Sequence, residues 1–259
     1  MQIHHFRNAT FILQMQKKII LVDPMLGSRG TMIPFRLFSR SIQLNPIVDL
    51  QQNAQPALQS VTHALITHCQ KGHSDHLDRA GIKYLREKNI PVHCRQQDVF
   101  FLRKRGLNVQ PFMQREKNLF CDGLVDLVPC RHGRGWITHF MEHGSGYFIR
   151  AMASPSIYIT GDTVLTDKVR QTIITHKPDW IVLPCGGARL DVGRSILMEM
   201  DEIIETIAIA PGKVIANHLE ALDHCRISRS DLHKAIKSQG LEEKVIIPKD
   251  GETINLLVS

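Results

Sequence analysis

Residues 67–78, T-H-C-Q-K-G-H-S-D-H-L-D, constrain this chain more than any other stretch, with three histidines and two aspartates in twelve residues. They follow the apolar run V-T-H-A-L-I at 61–66, whose β-branched bias reads as a buried strand. Polar side chains directly after such a strand sit on a loop held by a rigid element, where binding sites are commonly built. Imidazole and carboxylate are ligand types that suit zinc, manganese or iron. His73, Asp75 and His76 are close enough for one loop to aim all three at one cavity. A single histidine here would read as part of a solvated polar loop. The cluster, taken with what lies downstream, points to metal.

The rest of the chain supplies a scaffold for such a loop. Residues 9–14 and 18–23 read as a β-hairpin that ends at Asp23-Pro24. Residues 27–60 are rich in Gly, Pro, Asn and Gln, with Phe35, Leu37 and Phe38 among them. That is long for a structureless connection, so a substrate lid is expected there. Helical patterns follow at 79–87, with Ile82 and Leu85 inward, and at 96–105, which Gly106 can terminate. Two more lie at 195–209, with Ile196, Met200, Ile203, Ile204 and Ile207 on one face, and at 228–238, with Ser228 as N-cap and Asp231 in the first turn. Strands are expected at 90–93, 124–129, 146–150, 157–160, 180–183, 213–216, 245–247 and 253–257. No linker or short-period repeat interrupts them. The expectation is one α/β domain over 1–259, with two sheets face to face and helices outside.

Composition narrows the function classes. At 43% hydrophobic and 22% charged residues the chain is ordinary globular protein. No apolar run approaches the roughly 18 residues of a membrane span. The start carries no charged-then-apolar leader, which predicts a cytoplasmic protein. The six cysteines are scattered without a CxxC pair, against a disulfide framework or zinc knuckle. Cys69 and Cys130 read as buried thiols, with a thiolate ligand as the minor alternative. The net charge of +7 permits an anionic small-molecule substrate or nucleic acid. The basic residues are dispersed, however, and Arg103, Lys104 and Arg105 close a helical pattern as a solvated face. Nucleic acid is therefore not favoured, since no recognition module is present.

The segment His73-Ser74-Asp75-His76-Leu77-Asp78 resembles the metal loop of the metallo-β-lactamase superfamily, His-x-His-x-Asp-His followed by Leu-Asp. Lys71 stands where that pattern has its first histidine. His68, after Thr67, is five residues ahead of His73 instead of two. Either three residues are inserted within 69–72, with Gly72 easing the turn, or one ligand is lost. On the first reading residues 70–72 are dispensable for metal. Three further positions carry the resemblance, each after an expected strand: His132-Gly133, Gly161-Asp162-Thr163 and His218. His139 and His143 are rivals for His132, and His224 for His218.

The resemblance implies a four-layer αβ/βα sandwich and two divalent ions (Zn, Mn or Fe). His68, His73 and His132 would hold one ion, Asp75, His76 and His218 the other, with Asp162 between them. Asp75 and Asp162 would be catalytic. A metal-bound hydroxide would then hydrolyse a small, even phosphorylated, lactone, ester or phosphodiester. Asp23 would support the metal loop or serve as a turn former. Glu220 and His224 would stand behind the ligands or touch substrate. The short hairpin, Asp23-Pro24 and Gly-Asp-Thr most resemble the group containing L-ascorbate-6-phosphate lactonase. Two other classes stay open: a nuclease or cyclic-nucleotide phosphodiesterase on this fold, and a non-catalytic binding protein with a degenerate metal loop.

Overall fold

The chain opens as an antiparallel meander of β1 (Gln2–Arg7), β2 (Thr10–Met15) and β3 (Lys18–Val22), the last two built on continuous apolar runs. The computed structural model describes residues 1–38, 42–113, 117–152 and 154–257. After the meander come α1 (Ala54–Gln59), β4 (His63–Leu65), α2 (Arg79–Glu87), β5 (Pro91–Arg95), α3 (Val99–Arg103) and β6 (Asn108–Phe112). A second meander follows, β7 (Asn118–Phe120), β8 (Gly123–Pro129), β9 (Ser145–Ala151) and β10 (Ile157–Ile159). The chain continues through α4 (Asp167–His176), β11 (Trp180–Pro184), α5 (Met200–Ile209), β12 (Lys213–Asn217) and α6 (Arg229–Ser238). β13 (Val245–Ile246) and β14 (Thr253–Asn255) complete the strands.

Two seven-stranded sheets result, ordered β14-β1-β2-β3-β4-β5-β6 and β13-β12-β11-β10-β9-β8-β7. Each is antiparallel in its meander and parallel where helices cross over, from β3 to β6 and from β10 to β13. Strand alternation puts Phe11, Leu13, Ile20 and Leu65 of the first sheet into one core with Val125, Tyr147, Ile149 and Val182 of the second. The opposite faces, with Leu21, Ala64 and Val92 on one side and Ile181, Leu183 and Val214 on the other, are covered by the helices. This is the four-layer αβ/βα sandwich expected from the sequence.

The element bounds differ from expectation where residue type misleads. β1 reads as polar because of His4, His5 and Arg7, yet Arg7 is fully buried, its guanidinium donating to the carbonyls of Val48 (2.6 Å), Met25 (3.1 Å) and Gly27. α4 was missed because its Val, Ile and Thr residues favour strands; the Thr166 side chain caps it through Val169 N. α5 starts five residues later than expected, where Glu199 and Glu202 form a capping box. The region 96–105 begins as a 3₁₀ turn before α3. The stretch read as lid, 27–60, ends in α1, and its part at 39–41 lies outside the described residues. No helix among the described residues is long and apolar enough to cross a membrane.

Candidate metal centre

The C-terminal ends of β3, β4, β8, β10 and β12 meet at one edge of the sandwich, and each leads into one of the residues singled out above. Loops at the carboxyl ends of strands are where α/β proteins place their chemistry. One donor atom from each of His68, His73 and His132 lies within 4.8 Å of the others, and the same holds for Asp75, His76, Asp162 and His218. All seven residues are buried. Asp162 joins the two groups: its Oδ2 lies 3.2 Å from Nε2 of His76, 3.4 Å from that of His218 and 3.6 Å from that of His132. Oδ2 of Asp75 lies 3.6 Å from Nε2 of both His76 and His218.

Backbone and carboxylate acceptors orient the rings. His76 places Nδ1 2.9 Å from Asp23 Oδ2, and Asp23 also accepts from Thr67 N (2.8 Å) and Thr67 Oγ1 (2.6 Å). His132 Nδ1 lies 2.8 Å from the Ile196 carbonyl, and His73 Nδ1 lies 2.6 Å from that of Gln70. Carbonyls and carboxylates only accept, so each Nδ1 carries a proton and each Nε2 is the nitrogen turned to the cluster. His68 rests Nδ1 on Thr67 Oγ1 at 3.0 Å. Its Nε2 and that of His218 are buried without a hydrogen-bond partner. His218 sits in the left-handed region at φ 57°, fixed by its N–H on the Asn8 carbonyl at 2.9 Å.

Burial opposes charge on every group here. It would raise the Asp75 and Asp162 carboxyls, but the imidazoles around them, His76 foremost, hold both well below the carboxylate range. Burial likewise lowers His76 and His218, yet facing carboxylates, Asp162 first among them, raise both well above the ordinary histidine value. His68 and His132 have no such excess of acid: burial pushes His68 well down and His132 to about 3, so both are neutral donors. Two carboxylates that demand positive charge, beside neutral His68 and His132 and the unpartnered Nε2 atoms of His68 and His218, form a donor set that fits divalent cations.

The loop that departs from the family pattern is tightly held. Cys69 N donates to Glu142 Oε2 at 3.0 Å, and Gln70 N donates to the same oxygen. Gln70 Nε2 reaches Asp98 Oδ1 at 2.6 Å, while Arg95 pairs with both Asp98 and Glu142. Lys71 and Gly72, at φ 49° and 88°, carry the turn outward, and Lys71 Nζ donates to the Met141 carbonyl at 3.1 Å. The rings of His68 and His73 come to a centroid distance of 4.5 Å. Across the site the β8–β9 turn presses on this loop: a Cβ on Gly144 would sit 2.8 Å from the Thr67 carbonyl and 2.9 Å from His68 Cβ. Arg95, Asp98 and Glu142 carry no signal in the sequence, since Glu142 lies 47 residues from Arg95 and no motif links it to the Arg95–Asp98 pair.

The remaining residues fall around the site. His139 is exposed, and His143 accepts from His132 N at 3.2 Å; neither belongs to a donor group. Glu220 is turned to Arg229, accepting from its N at 2.9 Å and Nη1 at 2.7 Å at the start of α6. His224 is 3% exposed, its ring 5.7 Å from that of His218, and burial lowers its pKa to about 4. Burial pushes the thiols of Cys69 and Cys130 upward, so both stay protonated. A cavity of about 240 Å³ opens onto His73, Asp75 and His132.

Comparison with known proteins agrees with this geometry. A family model described as beta-lactamase superfamily domain matches residues 19–218. The UPF0173 protein YddR of Bacillus subtilis is 32% identical over 260 residues, 98% of this chain and 99% of that protein. A UPF0173 metal-dependent hydrolase of Xanthobacter autotrophicus is 26% identical, over 76% of this chain and 75% of its own. Among solved structures, an isothiocyanate hydrolase from Delia radicum gut bacteria superposes with a TM-score of 0.88 at 28% identity, covering 98% of this chain and 99% of that one. A possible metal-dependent hydrolase from Veillonella parvula superposes at 0.89, also at 28% identity, over 99% of both chains. Fold, site and relatives together define a metal-dependent hydrolase. The chain belongs to the metallo-β-lactamase superfamily and, within it, to the UPF0173 metal-dependent hydrolase family.

Proposed function

We propose that this hydrolase is dinuclear and cleaves the acyl bond of a small lactone or ester. His68, His73 and His132 would hold one ion and Asp75, His76 and His218 the other, with Asp162 shared. The observation that carries this reading is the position of Asp162 Oδ2, within 3.6 Å of Nε2 atoms from both donor groups. Two divalent ions (Zn, Mn or Fe) bound there would acidify water and polarise a carbonyl. The chain's own residues do the rest. Asp23, Ile196 and Gln70 fix the imidazole tautomers, so no ring must reorganise as charge develops. Asp75, which lines the cavity, would orient the attacking water as a hydrogen-bond acceptor. One core shared by both sheets supports 1–259 as one domain, and six free thiols support the reducing cytoplasm.

The lactonase-like pattern of hairpin, Asp23-Pro24 and Gly161-Asp162-Thr163 supports a lactone. Likeness to the isothiocyanate hydrolase over 98% of the chain supports a second electrophile, the central carbon of an isothiocyanate. Phosphodiesters, and with them the nuclease and cyclic-nucleotide readings, find less support, because Lys71 is the one cation among the cavity-lining residues described and is engaged by carbonyls. The test is elemental analysis after reconstitution with zinc, manganese or iron, followed by turnover of ester, lactone, isothiocyanate and bis-p-nitrophenyl phosphate substrates. Two ions per chain and turnover of a carbonyl or isothiocyanate substrate are expected. A ceiling of one ion per chain would replace the dinuclear reading by a mononuclear one. Two ions without turnover of any substrate would leave a binding protein.

A further inference from the structure

We propose that the substrate is an uncharged electrophile whose apolar group is packed under the segment 33–38, with Phe35 as the specificity-determining residue. This rests on the hydrolase reading and departs from the anionic substrate expected from net charge.

The cavity wall is apolar. Ile33, Phe35, Met141, Leu190 and Ile196 stand over a floor of His73, Asp75 and His132. At about 240 Å³ it holds roughly eight water-sized groups of about 30 Å³ each, enough for a short acyl or aryl group. Bound ions can match charge at the scissile bond, but a second charge on the remote part of a substrate would face hydrocarbon. Burying it there without a partner is strongly unfavourable. Lys71 is the one cation among the cavity-lining residues described, and it is exposed, its ammonium turned to the carbonyls of Met141 (3.1 Å) and His139 (3.4 Å). Arg134, Arg189 and Arg194 line a separate cleft together with Glu199, Asp201 and Glu202.

The wall is also held in place. Backbone N–H groups of Phe35 and Arg36 donate to Asp223 at 3.2 and 3.0 Å. Those of Leu37 and Phe38 both donate to Asp191 Oδ2, the second at 3.0 Å. Asp223 is itself fixed by the buried Asn45, which donates to it at 2.8 Å and accepts its N–H at 3.0 Å. Four successive amides of a loop are thereby tied to carboxylates roughly 150–190 residues away in the chain. The clamp sets the Phe35 ring edge-on to His224 at 4.8 Å. His224 lines the same cavity at 3% exposure, and its Nδ1 has no hydrogen-bond partner. Its hydrogen-bonding capacity is left unfilled by the protein beside the cavity. A neutral ester or lactone fits both features, its apolar group against Phe35 and a heteroatom near His224. In the reaction water oxygen bonds to the acyl carbon, the acyl carbon–oxygen bond breaks, and the water proton ends on the departing alcohol.

The test uses metal-loaded protein and matched pairs: phenyl acetate against the same ester bearing a para-carboxylate, and the corresponding non-hydrolysable phenyl ethers titrated calorimetrically. The neutral member of each pair is expected to win by roughly 100-fold in kcat/KM and in affinity. Phe35→Ala should raise KM for the neutral ester about tenfold with a smaller change in kcat, and Phe35→Leu should recover most of it. Equal or better handling of the anionic pair overturns the proposal, as does a Phe35→Ala variant with unchanged KM. Binding of the neutral ether without turnover of any ester would sink the hydrolase reading and leave the pocket assignment standing.

Discussion

His73 gives its Nδ1 proton to the carbonyl of Gln70, 2.6 Å away and inside the segment where the loop departs from the family pattern. Gln70 in turn hangs by its N–H from Glu142. The extra residues are therefore part of what aims a metal-type histidine, and the reading of 70–72 as dispensable changes. Deleting Gln70, Lys71 and Gly72 should free the His73 ring and abolish binding at the His68–His73–His132 group. Elemental analysis of the deletion variant checks this: full metal content would return these residues to the status of a tolerated insertion.

Glu142 links both walls of that group, since it holds the Cys69 and Gln70 amides and pairs with Arg95, which also donates to the His143 carbonyl. Glu142→Gln should weaken the ion at the three-histidine group by about 10- to 100-fold, the usual effect of removing an outer support. The four-residue acidic group should keep its affinity. On the dinuclear reading, competition against a graded series of chelators separates the two groups, and loss of metal from both together would indicate general unfolding.

Asp162→Asn keeps the shape of the side chain and removes the charge shared by His76, His132 and His218. The variant should fold, bind less than its full metal complement and lose at least about 100-fold in kcat, the scale on which single electrostatic groups act in catalysis. Near-normal turnover with two ions bound would make Gly161-Asp162-Thr163 an ordinary turn.

Removal of metal should destabilise the protein. Buried Asp75 and Asp162 lose their counter-charge, and at a thousandfold excess over Kd a single ion contributes about 4 kcal/mol to the folded state. Calorimetric melts with and without a chelator should therefore show a lower Tm for the metal-free chain, restored by adding the ion back. An unchanged Tm would argue against ions in this cluster.

In β5, outside the donor groups, His93 stacks on His63 and on Phe112, and burial, with His63 adding to it, lowers its pKa from 6.5 to about 4. The unfolded chain therefore takes up this proton first. The contribution to stability is complete above pH 6.5 and is lost as pH falls from 6.5 to 4. Its full size is at most about 3 kcal/mol, from 1.36 kcal/mol per pKa unit. Urea titrations at pH 7 and pH 5 should show a smaller difference for His93→Gln than for the natural sequence, and equal differences would count against the assignment.

Much of the local structure was legible because its causes are local. α2 spans Arg79–Glu87 as its pattern implied, and Asp78 caps it through Gly81 N at 2.7 Å. α6 starts at Ser228 for the same reason. The strands with histidine or aspartate at their ends were marked by short apolar runs, so the ligand-type residues could be ordered without coordinates. β6, by contrast, contains Pro111 and lies at a sheet edge, where proline is tolerated and the pattern is weak.

What the sequence determined by itself is the two-sheet sandwich and the inventory of metal-capable side chains, because hydrophobic period, helix caps and residue chemistry act within a few positions. Only the tertiary structure decided that His68 lies beside His73, that Glu142 and Arg95 hold the loop between them, and that Asp191 and Asp223 place Phe35 over the cavity. The physical reason is that these contacts join residues tens to hundreds of positions apart. Their partners are chosen when two sheets close on a common core and bring the strand ends to one edge, and no local pattern in the chain encodes that choice.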